Sequence, residues 1–162
     1  QLSHLLERHG GHAQAAGLTI RNENIPAFSE AISAIAQEEL AGQSLQPTLE
    51  VDAEIPLHEI DWALYEQLAL LEPTGQANGA PVLMSRNVQV LQHRTVGRDN
   101  SHLQLEVNDG MKGFKGIAWR QGAWAQAMPP RLDIAYALMV NEWRGRRALE
   151  LQIRALRLPE EM

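Results

Sequence analysis

Between Val82 and Arg157 apolar residues fall on every second position in one run after another, and this alternation limits the fold more than any other feature. The runs are Val82 to Gln92, His102 to Asn108, Gly113 to Trp119, Leu132 to Asn141 and Ala148 to Arg157. Leu103, Leu105 and Val107 alternate in the second. Leu132, Ile134, Tyr136, Leu138 and Val140 do so in the fourth, and Leu149, Leu151 and Ile153 in the fifth. A period of two sends successive side chains to opposite faces, so each run is a strand with one dry face and one wet face. No helical period separates the second run from the third, and Gly- and Asn-rich turns join them. Five such strands are too few for a sandwich and enough for a small closed barrel. Gln121 to Met128 fits a short helix or loop between the third and fourth strands.

The region ahead of Val82 is mixed. Gln1 to His9 reads as the tail of a helix, and Gly10-Gly11-His12-Ala13-Gln14-Ala15-Ala16-Gly17 then precedes the strand-like Leu18-Thr19-Ile20. Asn24 is placed to cap a helix starting near Ile25-Pro26, with Phe28, Ile32, Ile35, Ala36 and Leu40 on one face and Gly42 as its stop. Thr48 to Ile55 alternates as a strand, and Ile60 to Leu71 reads as a second helix. Glu72 to Pro81 concentrates turn formers, which puts the domain boundary there. The expected organisation is α+β: residues 1–72, a linker at 73–81, and a five-stranded OB-fold barrel over 82–162.

Charge reverses at the same place. Although the net charge is −6, residues 1–80 carry two arginines against twelve acids, whereas residues 81–162 carry twelve bases, ten of them arginine, against eight acids. The second half therefore holds a candidate polyanion-binding face. Arg94 to Arg98 and the turn Gly145-Arg146-Arg147, flanked by Trp143 and Arg144, are its basic turns. Arg120 is a further candidate phosphate donor, and His102, which opens a strand, is either a solvated strand-start residue or another such donor. Trp119, Trp124, Tyr136 and Trp143 are the candidates for stacking on bases, with Trp119 and Tyr136 assigned to the core. Gly10, Gly11 and His12 form either a phosphate clamp or a helix C-cap and turn.

Much chemistry is excluded. The absence of cysteine removes disulfides and thiolate sites. The six histidines are scattered, and no HExxH, nucleotide-binding P-loop or serine elbow occurs, so a metal site built from this chain alone is not expected. No apolar run approaches a membrane span and no secretion signal opens the chain, which leaves the cytoplasm as the expected compartment. The start at Gln1, without Met and within the inferred helix, suggests a piece of a longer protein.

In order along the chain, Gly10-Gly11-His12-Ala13-Gln14-Ala15-Ala16-Gly17, Leu71 to Val82, Val96-Gly97-Arg98 with His102-Leu103-Gln104-Leu105, and Asn141-Glu142-Trp143-Arg144-Gly145 resemble the C-terminal part of the RecJ family. These are bacterial single-stranded-DNA-specific exonucleases of the DHH phosphoesterase superfamily. The resemblance implies a DHH-associated segment followed by an OB-fold, with Gly10, Gly11 and His12 on substrate phosphate. It also implies a parent enzyme that removes nucleotides from the 5′ end in DNA repair and recombination, using Mn2+ or Mg2+ held in a DHH domain ahead of residue 1. This chain alone would then carry no cofactor and no catalytic residue, and would be an inactive monomer that binds single-stranded DNA. A single-stranded-DNA-binding protein or a helicase is an expected partner, and a membrane is not. Thr74, Ala77 and Gly79 depart from the family pattern, so the linker is assigned no substrate contact. The alternatives are a non-catalytic single-strand-binding or protein-docking OB module, and a DHH phosphodiesterase acting on short oligonucleotides.

Overall fold

The computed structural model of the chain describes residues 2–44 and 47–159. Contacts divide it into two units, one running to Pro47 and one from Thr48.

The first unit opens with a single 3-10 turn, Ser3–Leu5, and not with the expected helix tail, whose first residue lies outside the described residues. Strands β1 (Leu6–His12) and β2 (Ala15–Ile20) then form an antiparallel hairpin, so Gly10-Gly11 is strand and not a helix cap. Close approach explains Gly11, because a Cβ there would lie 2.5 Å from the Ala15 carbonyl oxygen and 2.6 Å from the Ala16 Cα. Helix α1 (Ile25–Glu39) begins where its periodicity predicts, with proline in the first turn. Asn24 occupies the N-cap position without capping; its Nδ2 donates to the Leu5 carbonyl at 3.1 Å, tying helix to turn. No described residue of this unit is fully buried.

The second unit holds the core. The strand expected over Thr48 to Ile55 contracts to β3 (Ala53–Glu54), paired in parallel with the start of a long later strand, while Leu49 and Val51 stay exposed because no neighbour covers them. A 3-10 turn, Leu57–Glu59, inserts Leu57, and Ile60 follows it into the core. Helix α2 (Trp62–Ala69) starts at Asp61, whose Oδ1 accepts the Leu64 N–H at 2.8 Å. Leu64 and Leu68 pack against the same core. The boundary expected at residues 73–81 therefore separates a strap from the strands beneath it, and the division between compact units falls at Pro47–Thr48.

Five strands follow as the alternation predicts: β4 (Leu83–Val96), β5 (His102–Asn108), β6 (Gly113–Ala118), β7 (Arg131–Trp143) and β8 (Arg146–Arg157). Their order is β4-β5-β6-β8-β7, and β7 pairs back onto β4, so the sheet closes on itself. All neighbours in this ring are antiparallel except β6 and β8. The 3-10 segment Gly122–Ala127 bridges β6 and β7 where a short helix or loop is expected. Leu103, Leu105, Val107, Leu132, Ile134, Tyr136, Leu151 and Ile153 fill the interior. Gly116 is required there, because a Cβ would meet the Ile153 Cδ1 at 2.8 Å.

Polar groups fasten the strap to the ring. The buried Tyr136 hydroxyl donates to the Ser85 Oγ at 2.8 Å, and that hydroxyl donates onward to the Ile55 carbonyl at 2.7 Å; burial pushes the Tyr136 phenol up to about 12. In the β5–β6 turn Asp109 accepts the N–H groups of Met111, Lys112 and His58, and the His58 ring donates to it through Nδ1 at 2.7 Å. Burial alone would raise the Asp109 carboxyl, but these donors hold it well below the usual carboxylate range. Lys112 Nζ donates to the Ile60 carbonyl. Among the described residues no helix is long and apolar enough to cross a membrane.

Candidate nucleic-acid interface

At one end of the β5–β6 pair the loop 97–101 leads into His102. Gly97 has φ +93°, and a Cβ there would crowd the His102 ring at 3.1 Å, so glycine makes room for the imidazole. His102 Nδ1 accepts the Arg120 N–H at 3.1 Å, which leaves Nε2 as the ring nitrogen that carries a proton to donate. The edge of His102 meets Trp119, with centroids 4.8 Å apart and planes at 78°. Trp119, assigned to the core from sequence, is instead 52% exposed, because Phe114 and Ala118 point inward and the next residue turns out. Arg98, Asp99, Ser101, His102 and Arg120 line one cleft of about 630 Å3. Asp99 is the acid in it, and the Ser101 hydroxyl and N–H hold its carboxyl below the ordinary range.

The β7–β8 hairpin lies at the other end. Gly116 pairs in parallel with Leu151 and Ala118 with Ile153, so the start of β8 runs beside the Gly113 end of β6, away from Trp119. Arg144 and Gly145 take φ +50° and +74° in a two-residue turn between paired Trp143 and Arg146. This corrects the turn expected at Gly145-Arg146-Arg147; Arg146 and Arg147 are consecutive strand residues and present opposite faces. Trp143 is 68% exposed with the Arg144 guanidinium 5.7 Å from its ring. Arg147 instead stands over Trp62 of α2 at 5.1 Å.

Arg94 joins neither end. It sits within β4 and not in a turn, and its Nε donates to the Gln104 Oε1 at 2.6 Å beside a smaller cleft that reaches Lys115. Tyr136 is core, as its alternation predicts, and Trp124 is half-buried against that core. Trp62 is the residue that sequence reasoning missed. Its signal was that Trp62 and Tyr65 lie three apart, off the Leu64–Leu68 stripe, and they meet edge-on at 5.9 Å.

In the first unit Gly10, Gly11 and His12 are exposed around the hairpin tip. His12 Nδ1 accepts the Gln14 N–H at 3.2 Å, which leaves Nε2 as a donor. The three residues share a cleft of about 610 Å3 with Leu6, Phe28 and Ile35. Among the described residues no group of three or more histidines and acids is placed to hold a metal ion.

Curated relatives cover nearly all of this chain. The single-stranded-DNA-specific exonuclease RecJ of Thermus thermophilus is 32% identical over 161 residues, 98% of this chain and 22% of that protein. RecJ of Dickeya dadantii is 30% identical over 94% of this chain and 27% of its own length. RecJ of Bacillus subtilis is 24% identical over 93% and 19%. The chain thus spans about a fifth to a quarter of the length of these relatives. The crystal structure of Thermus thermophilus RecJ in complex with Mn2+ superposes with a TM-score of 0.74 at 30% identity, covering 99% of this chain and 23% of that one. The complex with Mg2+ gives 0.73 over 98% and 24%. The RecJ OB domain family matches residues 51–155, more than half of the 162 residues, and together with the ring order and the basic ends of β5–β6 this places the chain in that family.

Proposed function

We propose that this chain grips and guides single-stranded DNA for a RecJ-type exonuclease of DNA repair and recombination, whose DHH catalytic domain lies in the remainder of the parent protein. The meeting of Arg98, His102 and Arg120 in one cleft, with the exposed Trp119 against the His102 ring, carries the reading. Two guanidiniums and the His102 Nε2–H form a donor set for backbone phosphate, and the indole beside them offers a face on which any base can stack. The strand would cross the outer face of β5–β6, where Gln104 and Ile117 are paired, toward the arginines of the β7–β8 hairpin. The β5–β6 face and the flanking loops are where this barrel type takes oligonucleotides.

Gly10, Gly11 and His12 are assigned a second phosphate contact, through the His12 Nε2–H and the side-chain-free backbone of the glycine pair next to it. The space a Gly10 Cβ would enter is empty out to 4 Å, which leaves room for a ligand to approach the backbone there. The Mn2+ and Mg2+ of the Thermus structures suit a parent enzyme in which divalent ions activate water. The described residues here have no ligand cluster to fit such an ion. The chain by itself is proposed to bind a strand and not to cut it.

Binding of a fluorescent single-stranded oligonucleotide should weaken steeply as salt rises. Changing Arg98 and Arg120 to Ala should lower the slope of log affinity against log salt by about 0.7 for each phosphate no longer engaged. Equal affinity at low and high salt overturns the proposal.

A further inference from the structure

The groove at the hairpin end differs in kind from the cleft at Trp119. It encloses about 590 Å3, and Trp62, Phe114 and Leu149 give it apolar surface. Lys112 and Lys115 contribute cations, but Asp61, Glu106 and Glu150 also line it, so its interior does not favour a phosphate. Asp61 is engaged in capping α2, and Glu150 accepts from Asn141 Nδ2 at 2.8 Å. Trp62 is 38% exposed and carries the Arg147 guanidinium over its ring. An arginine over an exposed indole is held weakly compared with a stacked base.

We infer that Trp62 is a stacking platform for one nucleobase of the bound strand, Arg147 yielding the ring to the base and pairing with the adjacent phosphate. The inference rests on the single-strand reading above and adds to it a residue from α2, outside the five-stranded ring. The division of labour follows the charge: the base enters a groove whose carboxylates accept hydrogen bonds from base amino groups, while the adjacent phosphate stays outside with Arg147.

The test uses the 162-residue chain and a labelled single strand of about 15 nucleotides, near the upper site size for one such domain. Trp62→Leu keeps an apolar side chain beside Tyr65 and removes the aromatic face. It should weaken binding about tenfold with an unchanged salt slope, and Trp62→Phe should restore most of the loss. An abasic strand of equal length should bind the wild type and Trp62→Leu alike. Tryptophan quenching at saturating strand should be smaller in Trp62→Phe than in the wild type, while the urea midpoint of the variant stays that of the wild type. Arg147→Ala should lower the salt slope by about 0.7 and leave the quenching intact. Wild-type affinity and quenching in both Trp62 variants, with Arg98→Ala still impaired, overturns this site and spares the interface; no strand binding by the wild type overturns both.

Discussion

Residues 2–44 and 48–159 carry apolar periodicities of similar clarity and differ in what those periodicities meet. In the second unit each strand turns its apolar face toward the other strands of a ring that closes within the chain, and Leu103, Leu132, Tyr136 and Leu151 lose all solvent contact. In the first unit a hairpin and one helix line an open cleft, with Phe28 and Ile35 half-buried and Ile32 44% exposed. An amphipathic pattern says which face is apolar and does not say what covers it. Stability should therefore reside almost wholly in the second unit.

The largest expected effect tests that division. Leu132→Ala should cost about 3 kcal/mol in the main urea transition, as a leucine removed from a closed interior does. Phe28→Ala should leave the same transition within about 0.5 kcal/mol, since its ring lies outside the cooperative core. Comparable losses from both would show that the units unfold together.

A smaller effect concerns how the strap is held. Asp109→Ala leaves the N–H groups of Met111, Lys112 and His58 without their acceptor and should cost about 2 kcal/mol at neutral pH. The sign of its pH dependence follows from the depressed folded pKa. Stabilisation by the carboxylate is complete above the unfolded value of about 3.9 and is lost as pH falls toward the folded one. Urea unfolding of wild type and variant should thus differ fully at neutral pH and converge in acid. A constant difference would assign Asp109 a packing role instead.

What could be read from sequence divides along the same line. Period two located all five ring strands because closure gave every dry face a partner, and β5 occupies His102–Asn108 as expected. Thr48 to Ile55 alternates just as well, yet only its end has a neighbour, so two residues became strand. The exposure of Trp119 was legible, since Phe114, Gly116 and Ala118 place it on the wet side; residue type overrode register. Arg98, His102 and Arg120 all stood out as basic residues. Their meeting depends on the pairing of Leu103 with Ala118, which no local pattern specifies. Trp62 lay outside any motif and gained its role from an arginine on the distant strand β8.

The glycine pair gives the finest test of the contrast, because its two members should respond with opposite signs. At Gly10 a Cβ would meet nothing within 4 Å, and the backbone φ is not in the left-handed region. Alanine there should protect the hairpin by about 0.5 kcal/mol by narrowing the unfolded ensemble. At Gly11 the Cβ would lie within 3 Å of three atoms of Ala15 and Ala16, two of them backbone, so alanine must push the strands apart and should weaken the hairpin by about 1 kcal/mol or more. Amide exchange of Ala15 to Ile20 should slow in Gly10→Ala and quicken in Gly11→Ala, with the urea midpoint of the ring unchanged in both. Because Gly10, Gly11 and His12 are assigned to the same phosphate, Gly11→Ala in the parent enzyme should also impair turnover. Equal exchange in the two variants would mean that the hairpin is held by something other than its own close-packed turn.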